Sequence, residues 1–408
     1  MIGNFARTKK GTMAVRALPM ADALSRRGHQ VTMLLPPWDD PSQSGRIEMV
    51  HGVRIEHARV IRLPRAGVHM ALIADLLRRA RRLRPDVLYL FKPKGHAGVV
   101  QIAFAVSRSL ARKGVRIVVD TDDWEGSGGW ADQLGYPGPV RRFVDWHERW
   151  CLRHADAVTV ASRALHERTL AMGVPASNLF YLPNAAWPES PLWKLGDGRP
   201  IKLALGLADR PVVLIFSRFF DFDVRRIVPV LQCISQELPA TAFLVVGAGE
   251  RGEDDLVRHV FDSAGLTPSS RFTGWVPIDQ LRDYLAAADL AFYPLDRTPI
   301  NQARCPVKLI DLLLAGIPVV AESVGQITEY IVDGENGRLL PSGDVSAASR
   351  ILLDLLNDPV QRAGLGHQAR QSILRAHTWD NQAKVLEAAV TGRNLDDTAR
   401  FRTLASDP

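Results

Sequence analysis

Only three of the 408 residues are cysteine, and Cys151, Cys233 and Cys305 stand far apart. That scatter excludes a disulfide framework and offers no metal knuckle; it suits a reducing cytosol. No apolar run approaches the length that crosses a bilayer, and the first residues show no signal-peptide pattern. Basic residues are nowhere interleaved with aromatics in a nucleic-acid motif, so no nucleic-acid partner is implied. What is present is the apolar, glycine and proline content of a globular protein, with chain enough for two domains with full cores. Charge is divided unevenly. Residues 1–190 hold 28 Lys/Arg against 17 Asp/Glu, a net +11, whereas 191–408 hold 23 against 27, a net −4. The first half therefore favours an anionic partner or surface.

The most informative stretch runs from Cys305 to Val320, CPVKLIDLLLAGIPVV. It reads as a short helix, a turn and a buried strand. Pro306 suits the first helical position, where its missing N–H costs nothing. Gly316 can take the left-handed C-terminal cap, Pro318 blocks further helix, and Val319-Val320 suits a strand covered on both faces. A helix N-terminus fed by a tight loop is an anion site, because free N–H groups and the helix dipole both point at it. Lys308 in the first turn works against that dipole and needs another reason to be there, such as a phosphate. Asp311 follows one turn later on the same face.

This stretch resembles the sugar-nucleotide site of family 4 retaining glycosyltransferases, which have the GT-B fold. Their pattern is a Pro, a Lys, an acidic residue and then Ala-Gly-x-Pro-Val-Val. The acidic residue of the family holds the ribose, and Asp311 stands in its place, where Glu is usual. The family often has another Glu eight residues earlier, reaching the donor sugar. Ala303 stands there, with Asn301, Gln302 and Arg304 as neighbours able to substitute.

Taken in order, Met1-Ile2-Gly3-Asn4-Phe5 reads as the end of a first strand, followed by a loop at Gly11-Thr12, a helix to about Arg27 and a strand from Gln30 to Leu35. Family 4 enzymes begin this way, with paired glycines in the loop; here only Gly11 remains, beside Lys9 and Lys10. Two strands around His51-Gly52 predict a hairpin. Ile73, Leu76, Leu77 and Ala80 recur at helical spacing, with Arg78, Arg79, Arg81 and Arg82 on or beside the opposite face, a basic amphipathic helix able to lie on an anionic membrane. The strand Asp86–Phe91 runs into Lys92-Pro93-Lys94-Gly95-His96, and the strand 115–119 into Asp120-Thr121-Asp122-Asp123-Trp124-Glu125. Loops at the carboxyl ends of parallel strands are where α/β folds place their sites. The family often has a His-Asp pair near the transferred sugar hereabouts. The acidic cluster also suits a helix N-cap or, weakly, the Asp-x-Asp metal motif of the GT-A fold. "ADAVTVAS" (with Ser162 able to cap a helix) and "LPN" also resemble the family.

Strands near 211–217, 242–247, 271–275, 289–294 and 317–321 alternate with helices, which implies a parallel sheet covered on both faces. Arg218 matches a family Arg on the donor diphosphate. The family's following Lys is replaced by Asp223-Val224-Arg225-Arg226, with Arg225 as the candidate. Gly247-Ala248-Gly249-Glu250-Arg251-Gly252 alone is a dinucleotide fingerprint, yet no acidic residue ends the next strand, as that fingerprint requires. In the family the same loop borders the donor, and "FTGWVP" clasps the base. Two last helices are expected near 344–356 and 378–392.

The resemblance implies an α/β protein of GT-B fold, two Rossmann-like domains facing across a cleft. The bounds are 1–185 for the acceptor side, 186–208 for a linker, 209–375 for the donor side, 376–392 for a helix crossing back and 393–408 for a tail. The expected reaction moves a sugar from a UDP- or GDP-linked donor to a hydroxyl, with retention, in glycolipid or cell-envelope synthesis. No metal or other cofactor is called for. Arg218 and Lys308 are the catalytic candidates. Gly247, Gly249, Gly274, Trp275, Val276, Pro306, Val307 and Asp311 are assigned to the donor, and Gly11, Thr12, His96, Asp122 and Asp123 to the acceptor side. The place of work is the cytoplasm, with an inner-membrane surface reached through Arg78, Arg79, Arg81 and Arg82 and a lipid-linked acceptor as an option. An inactive nucleotide-sugar binder and an NAD-dependent oxidoreductase are the alternatives.

Overall fold

The computed structural model describes residues 1–7, 11–109, 114–249 and 251–393. Lys9 and Lys10, Glu250 and the tail from Asn394 lie outside the described residues. The chain divides into two compact units. The first takes residues 1–184, the short segment Ala303–Cys305 and the chain from Trp379; the second takes Ala185–Gln302 and Pro306–Thr378.

In the first unit the strands are β1 (Thr32–Leu35), β2 (Ile47–Val50), β3 (Val53–His57), β4 (Val87–Phe91), β5 (Arg116–Thr121), β6 (Ala157–Val160) and β7 (Leu179–Tyr181). The orders are β2-β3-β1 and β4-β5-β6-β7, with only β2 antiparallel to its neighbour. The expected first strand shrinks to Ile2, which bridges Leu34 on one side and Leu90 on the other. The hairpin turns on His51 and Gly52, both with φ in the left-handed region (46° and 78°), the handedness that matches strand twist. A π-type turn, Met13–Ala17, leads into the helix Leu18–Arg26. The last helix, Trp379–Thr391, packs on that helix and on β5, β6 and β7. It is pinned by Arg27 on Glu387 and by Arg116 Nε donating to the Ala389 carbonyl at 3.0 Å.

The helix Arg65–Leu83 corrects the arginine face. Arg79 is turned inward, 11% exposed, at 2.8 Å from Glu56 and 3.0 Å from Asp75. Arg78 also contacts Asp75, and Arg82 lies 3.6 Å from Glu56. Burial alone would raise the Glu56 carboxyl, but hydrogen bonds from Arg54 and Arg79 outweigh it and hold it low. Two buried carboxylates therefore offset two of the four charges of Arg78, Arg79, Arg81 and Arg82.

The second unit contains β8 (Val212–Phe216), β9 (Ala242–Val246), β10 (Ser270–Gly274), β11 (Leu290–Tyr293), β12 (Val319–Glu322) and β13 (Arg338–Leu340). The order β10-β9-β8-β11-β12-β13 is parallel throughout. β8 and β9 are buried along their whole length, as expected of strands covered on both faces. The strand β13 and the helix Pro359–Ala376 add to the expected elements. The 186–208 segment, expected as a linker, packs into this unit. A Cβ on Gly196 or Gly198 would lie 2.3 Å from the Arg282 carbonyl or 2.2 Å from that of Ala286, and Lys202 pairs with Asp289 at 2.8 Å.

Candidate functional site

Because the strands of the second unit are parallel, the loops after them gather at one edge. The chain starts at β8, winds to β9 and β10 on one side, then returns through β11 on the other, so the order of strand addition reverses between β8 and β11 while every strand stays parallel. Crevices at such a reversal are where open α/β sheets bind ligands. Arg218 follows β8 directly, its guanidinium 4.6 Å from the centre of the Phe220 ring. Phe219 takes a left-handed φ of 65°, steadied by its N–H donating to Ser217 Oγ at 2.9 Å. Gly247 ends β9 with φ 123°; a Cβ there would lie 1.9 Å from the Ser217 carbonyl oxygen, so only glycine lets the two loops close up. Its N–H donates to the Gly274 carbonyl at 2.9 Å, joining the loop after β10. Gly274 is left-handed too, Val276 is buried, and the Trp275 ring is 71% exposed.

The loop from Gly247 to Gly252 does not present an empty anion cradle. Gly249 N–H donates to Asp254 at 2.6 Å and Arg251 N–H to Glu253 at 2.6 Å, both acids lying in the first turn of the helix Glu253–Ser263. Carboxylates of the same helix occupy amides that a dinucleotide pyrophosphate would need.

After β11 come a short helix, Pro299–Ala303, and then the helix Val307–Leu314, whose N-cap is Pro306 with φ −81° rather than its first residue. Lys308 is therefore the second helical residue. Its Nζ sits 3.9 Å from the centre of the Phe216 ring at the end of β8, a cation–π seat that brings it to the reversal point. Burial pushes the Asp311 carboxyl up to about 7, against the downward pull of Lys308. The helix closes as expected: Gly316 is left-handed at φ 74°, with Gly316 N–H on Leu313 and Ile317 N–H on Leu312.

Arg225, the candidate for the family's second diphosphate cation, and its neighbour Arg226 are both engaged. Arg225 lies 3.4 Å from its neighbour Asp223. Arg226 sits 2.8 Å from Asp296 and donates at 2.9 Å to Glu322, which also accepts the N–H groups of Leu295 and Gly343. Sequence reasoning passed over Glu322; an acid ending the strand Val-Val-Ala was the available signal. Asn301 donates its amide to the carbonyls of Asp221 and Asp296, at 2.7 and 2.9 Å.

In the first unit, the ends of β4 and β5 meet in a charge cluster. Lys92, left-handed at φ 64° and buried, holds Nζ 3.3 Å from Asp122 and 3.2 Å from Glu125, and it contacts Asp123. Burial drives the Asp122 carboxyl up to about 6 against the pull of Lys92. The same burial acts on Asp123, but Lys92 and Arg304 hold it at about 2. The pair is no helix cap, since the next helix starts after Gly129. Beneath it lies an ion pair that sequence reasoning missed: Arg16 grips Asp120 through two 2.7 Å hydrogen bonds and reaches Asn184 at 3.0 Å. His96 meets His69 at 3.0 Å between ring nitrogens, and burial, then His69, pushes it down to about 4. Gly11 is exposed, a Cβ there would touch nothing, and Thr12 simply opens the helix. Ala303 is buried, its carbonyl accepting from Ser162 Oγ, while Arg304 lies 5.8 Å from the Trp130 ring centre. Among the described residues, no group of three or more His, Cys, Asp or Glu is placed to hold a metal ion.

Comparison with known proteins agrees with this geometry. Residues 11–185 match the Glycosyl transferase 4-like domain, and residues 210–358 match Glycosyl transferases group 1. A GDP-mannose-dependent alpha-(1-6)-phosphatidylinositol monomannoside mannosyltransferase of Mycolicibacterium smegmatis is 27% identical over 59% of this chain and 63% of that protein, just under two thirds of its length. Its namesake in Mycobacterium tuberculosis is 23% identical over 92% of each chain. Among solved structures, sucrose-phosphate synthase from Thermosynechococcus elongatus superposes with a TM-score of 0.73 at 19% identity, covering 96% of this chain and 98% of that one. The Anabaena protein HepE, in complex with UDP and glucose, gives 0.71 at 19% identity over 96% and 99%. With both domain types in order along it and this fold in both units, the chain belongs to the family 4 glycosyltransferases of GT-B fold.

Proposed function

We propose that this glycosyltransferase moves a sugar from a nucleoside diphosphate donor to an acceptor hydroxyl with retention of the anomeric configuration. The observation that carries the proposal is the placement of Lys308 on Phe216, at the sheet reversal where Arg218 also emerges. As the glycosidic bond breaks, negative charge grows on the departing diphosphate. Arg218, Lys308 and the amides opening the helix Val307–Leu314 meet that charge, one such contact being worth roughly 3–4 kcal/mol by analogy with an oxyanion-hole donor. The scheme calls for no metal. Asp311 takes the ribose hydroxyls, and the loops at Gly247, Gly249 and Gly274-Trp275-Val276 take the base and flank the donor.

The mycobacterial relatives are described as GDP-mannose-dependent, so GDP-mannose is the first donor to test, with UDP-sugars beside it. The same relatives act on a phosphatidylinositol mannoside, which supports a glycolipid acceptor for this chain, met at the cytoplasmic face of a membrane. Among the described residues no helix is long and apolar enough to cross one. His96, Asp122 and Asp123, beside Lys92, mark the acceptor side. The second reading, a binder without transfer activity, draws on Ala303 at the family's Glu position and on Arg225 held by Asp223. Hydrolysis and transfer assays across GDP- and UDP-sugars separate the two. Arg218→Ala and Lys308→Ala are each expected to lower turnover by about two orders of magnitude in a folded protein. Wild-type rates in either variant would remove that residue from the site.

A further inference from the structure

We propose that Asn301 is a positioning residue for the donor diphosphate: it latches the loop that follows β8 onto the loop that follows β11, and so fixes where the Arg218 guanidinium stands. The inference deepens the donor reading and rests on it. Sequence reasoning set Asn301 beside Ala303 as able to substitute for the family Glu that reaches the donor sugar. The structure gives its amide a different task.

The loop that carries Arg218 does not hold its shape by itself. Phe219 sits at φ 65°, a region that bulky side chains seldom adopt and keep only where their surroundings over-determine them. Phe219 and Phe222 are buried in the core of the second unit, while Phe220 between them meets the Arg218 guanidinium at 4.6 Å. The backbone between the two anchors, at Asp221, therefore sets the aim of Phe220 and of the arginine lying over it.

Asp221 is where the latch closes. Its carbonyl accepts the Asp296 N–H at 3.1 Å and Asn301 Nδ2 at 2.7 Å. The second hydrogen of the same amide goes to the Asp296 carbonyl at 2.9 Å. The Asp296 carboxylate in turn accepts the Asp223 N–H at 2.9 Å and lies 2.8 Å from Arg226. Glu322, 1% exposed, closes the far side, holding Arg226 and accepting the Leu295 N–H at 2.8 Å. Gly325, at φ 55°, completes the seat: a Cβ there would lie 2.9 Å from the Asn301 carbonyl oxygen and 2.6 Å from that of Gln302.

A primary amide suits this position as other small polar groups do not. It offers two hydrogens on one nitrogen, set apart so that each reaches a different carbonyl; a carboxylate has none to give, and a hydroxyl has one. Without the amide each carbonyl keeps a single backbone partner, the Asp296 N–H on Asp221 and the Thr298 N–H on Asp296. Removing it thus loosens the loop about Phe219 rather than unfolding the unit. A guanidinium moved by about 1 Å from a developing charge forfeits up to about a hundred-fold in rate.

The test is calorimetry of the full chain with GDP, GMP, UDP and UMP, read as the factor by which the second phosphate tightens binding. Arg218→Ala should cut that factor about ten-fold and Asn301→Ala about five-fold, with affinity for the monophosphate held within about two-fold, because base and ribose are met elsewhere. On the Arg218→Ala background, Asn301→Ala should cost nothing further, since it acts through that guanidinium. Asp296→Asn opens the same latch more gently, keeping an oxygen for the Asp223 N–H while giving up the charge on Arg226, and serves if the alanine variant does not fold. It should lower the factor about two-fold, and again not at all on the Arg218→Ala background. Additive losses overturn the proposal, as does an undiminished factor in Asn301→Ala. So does an equal fall in diphosphate and monophosphate affinity, the mark of a general weakening of the unit. Those three results leave the donor reading standing. A factor unchanged in Arg218→Ala removes the arginine from the site and this inference with it, and a wild type that binds none of the four nucleotides sinks the donor reading itself.

Discussion

Asp311 ties the donor reading to pH. Its carboxyl is pushed up to about 7 by burial, with Lys308 pulling the other way. If the ionised carboxylate accepts the ribose hydroxyls, binding draws on the deprotonated form. With a midpoint near 7, the ionised fraction is about 0.9 at pH 8 and about 0.1 at pH 6. Affinity for the free nucleotide should therefore fall about ten-fold between those values, or about 1.4 kcal/mol. The nucleotide adds a slope of its own, since a terminal phosphate titrates near pH ~6. The informative quantity is the difference between wild type and Asp311→Asn, measured by calorimetry at pH 6, 7 and 8 in two buffers of unlike ionisation enthalpy. Asn keeps the shape but has no proton to lose, so its profile should show the phosphate slope alone. Asp311→Ala should lose about 1.5–3 kcal/mol of binding at pH 8, the worth of a hydrogen bond to a charged acceptor. Identical slopes in wild type and Asp311→Asn, or full affinity in Asp311→Ala, would leave Asp311 a helix residue with no part in the site.

The same shift predicts an opposite effect on folding. A carboxyl whose folded pKa lies above its unfolded value, ordinarily about 3.9, favours the fold in its neutral form. That stabilisation is complete below the unfolded value and disappears as pH rises through about 7. Asp311→Asn should therefore be more stable than wild type at pH 8, with the gap closing toward pH 4. A residue that binds nucleotide better when charged, in a fold that prefers it neutral, sets function against stability.

Two further variants probe the scaffold. Arg16→Met removes the charge partner of the buried Asp120, leaving it the Thr159 and Tyr89 hydroxyls, and should cost about 3–5 kcal/mol by urea unfolding, most of it recovered by adding Asp120→Leu, since those two hydroxyls still meet each other at 2.6 Å; equal loss in single and double variants would refute the ion-pair account. Gly247→Ala places a Cβ 1.9 Å from the Ser217 carbonyl at φ 123°, so it should lower the melting temperature and abolish nucleotide binding together; wild-type affinity would show that the two loops need not close up.

The second unit was legible in sequence because its signals are local. Each buried strand is a short apolar run, and the helix Val307–Leu314 announces itself by Pro306 before it and Gly316 after it. What escaped there is what lacks a local signal. The strand β13 has only three residues, and the helix Pro359–Ala376 carries Gly364 and Gly366 where an amphipathic pattern would be sought. Gly366 is there for packing: a Cβ would lie 2.2 Å from the Gly316 carbonyl. The linker expectation failed for the same reason, since Gly196 and Gly198 mark close backbone approach rather than freedom.

The first unit was less legible because its site is assembled from residues that sequence spacing does not relate. Arg16 and Asp120 stand 104 positions apart, and nothing in the local pattern around Arg16 distinguishes it from a surface arginine. Lys92 was visible as a loop lysine after a buried strand, but its buried ammonium is held by three carboxylates on the loop after β5, which spacing does not show. Of the arginines Arg78–Arg82, Arg79 alone departs from the reading, for Arg78 and Arg82 stay largely exposed. Their spacing is that of a solvated basic face, yet Glu56 on β3 and Asp75 on the same helix draw Arg79 inward. In each case the helix or strand follows from its own residues, while the protonation and partners of the charged groups follow from which elements the sheet order sets side by side. A charge run read from sequence is therefore an upper bound on the field a surface presents.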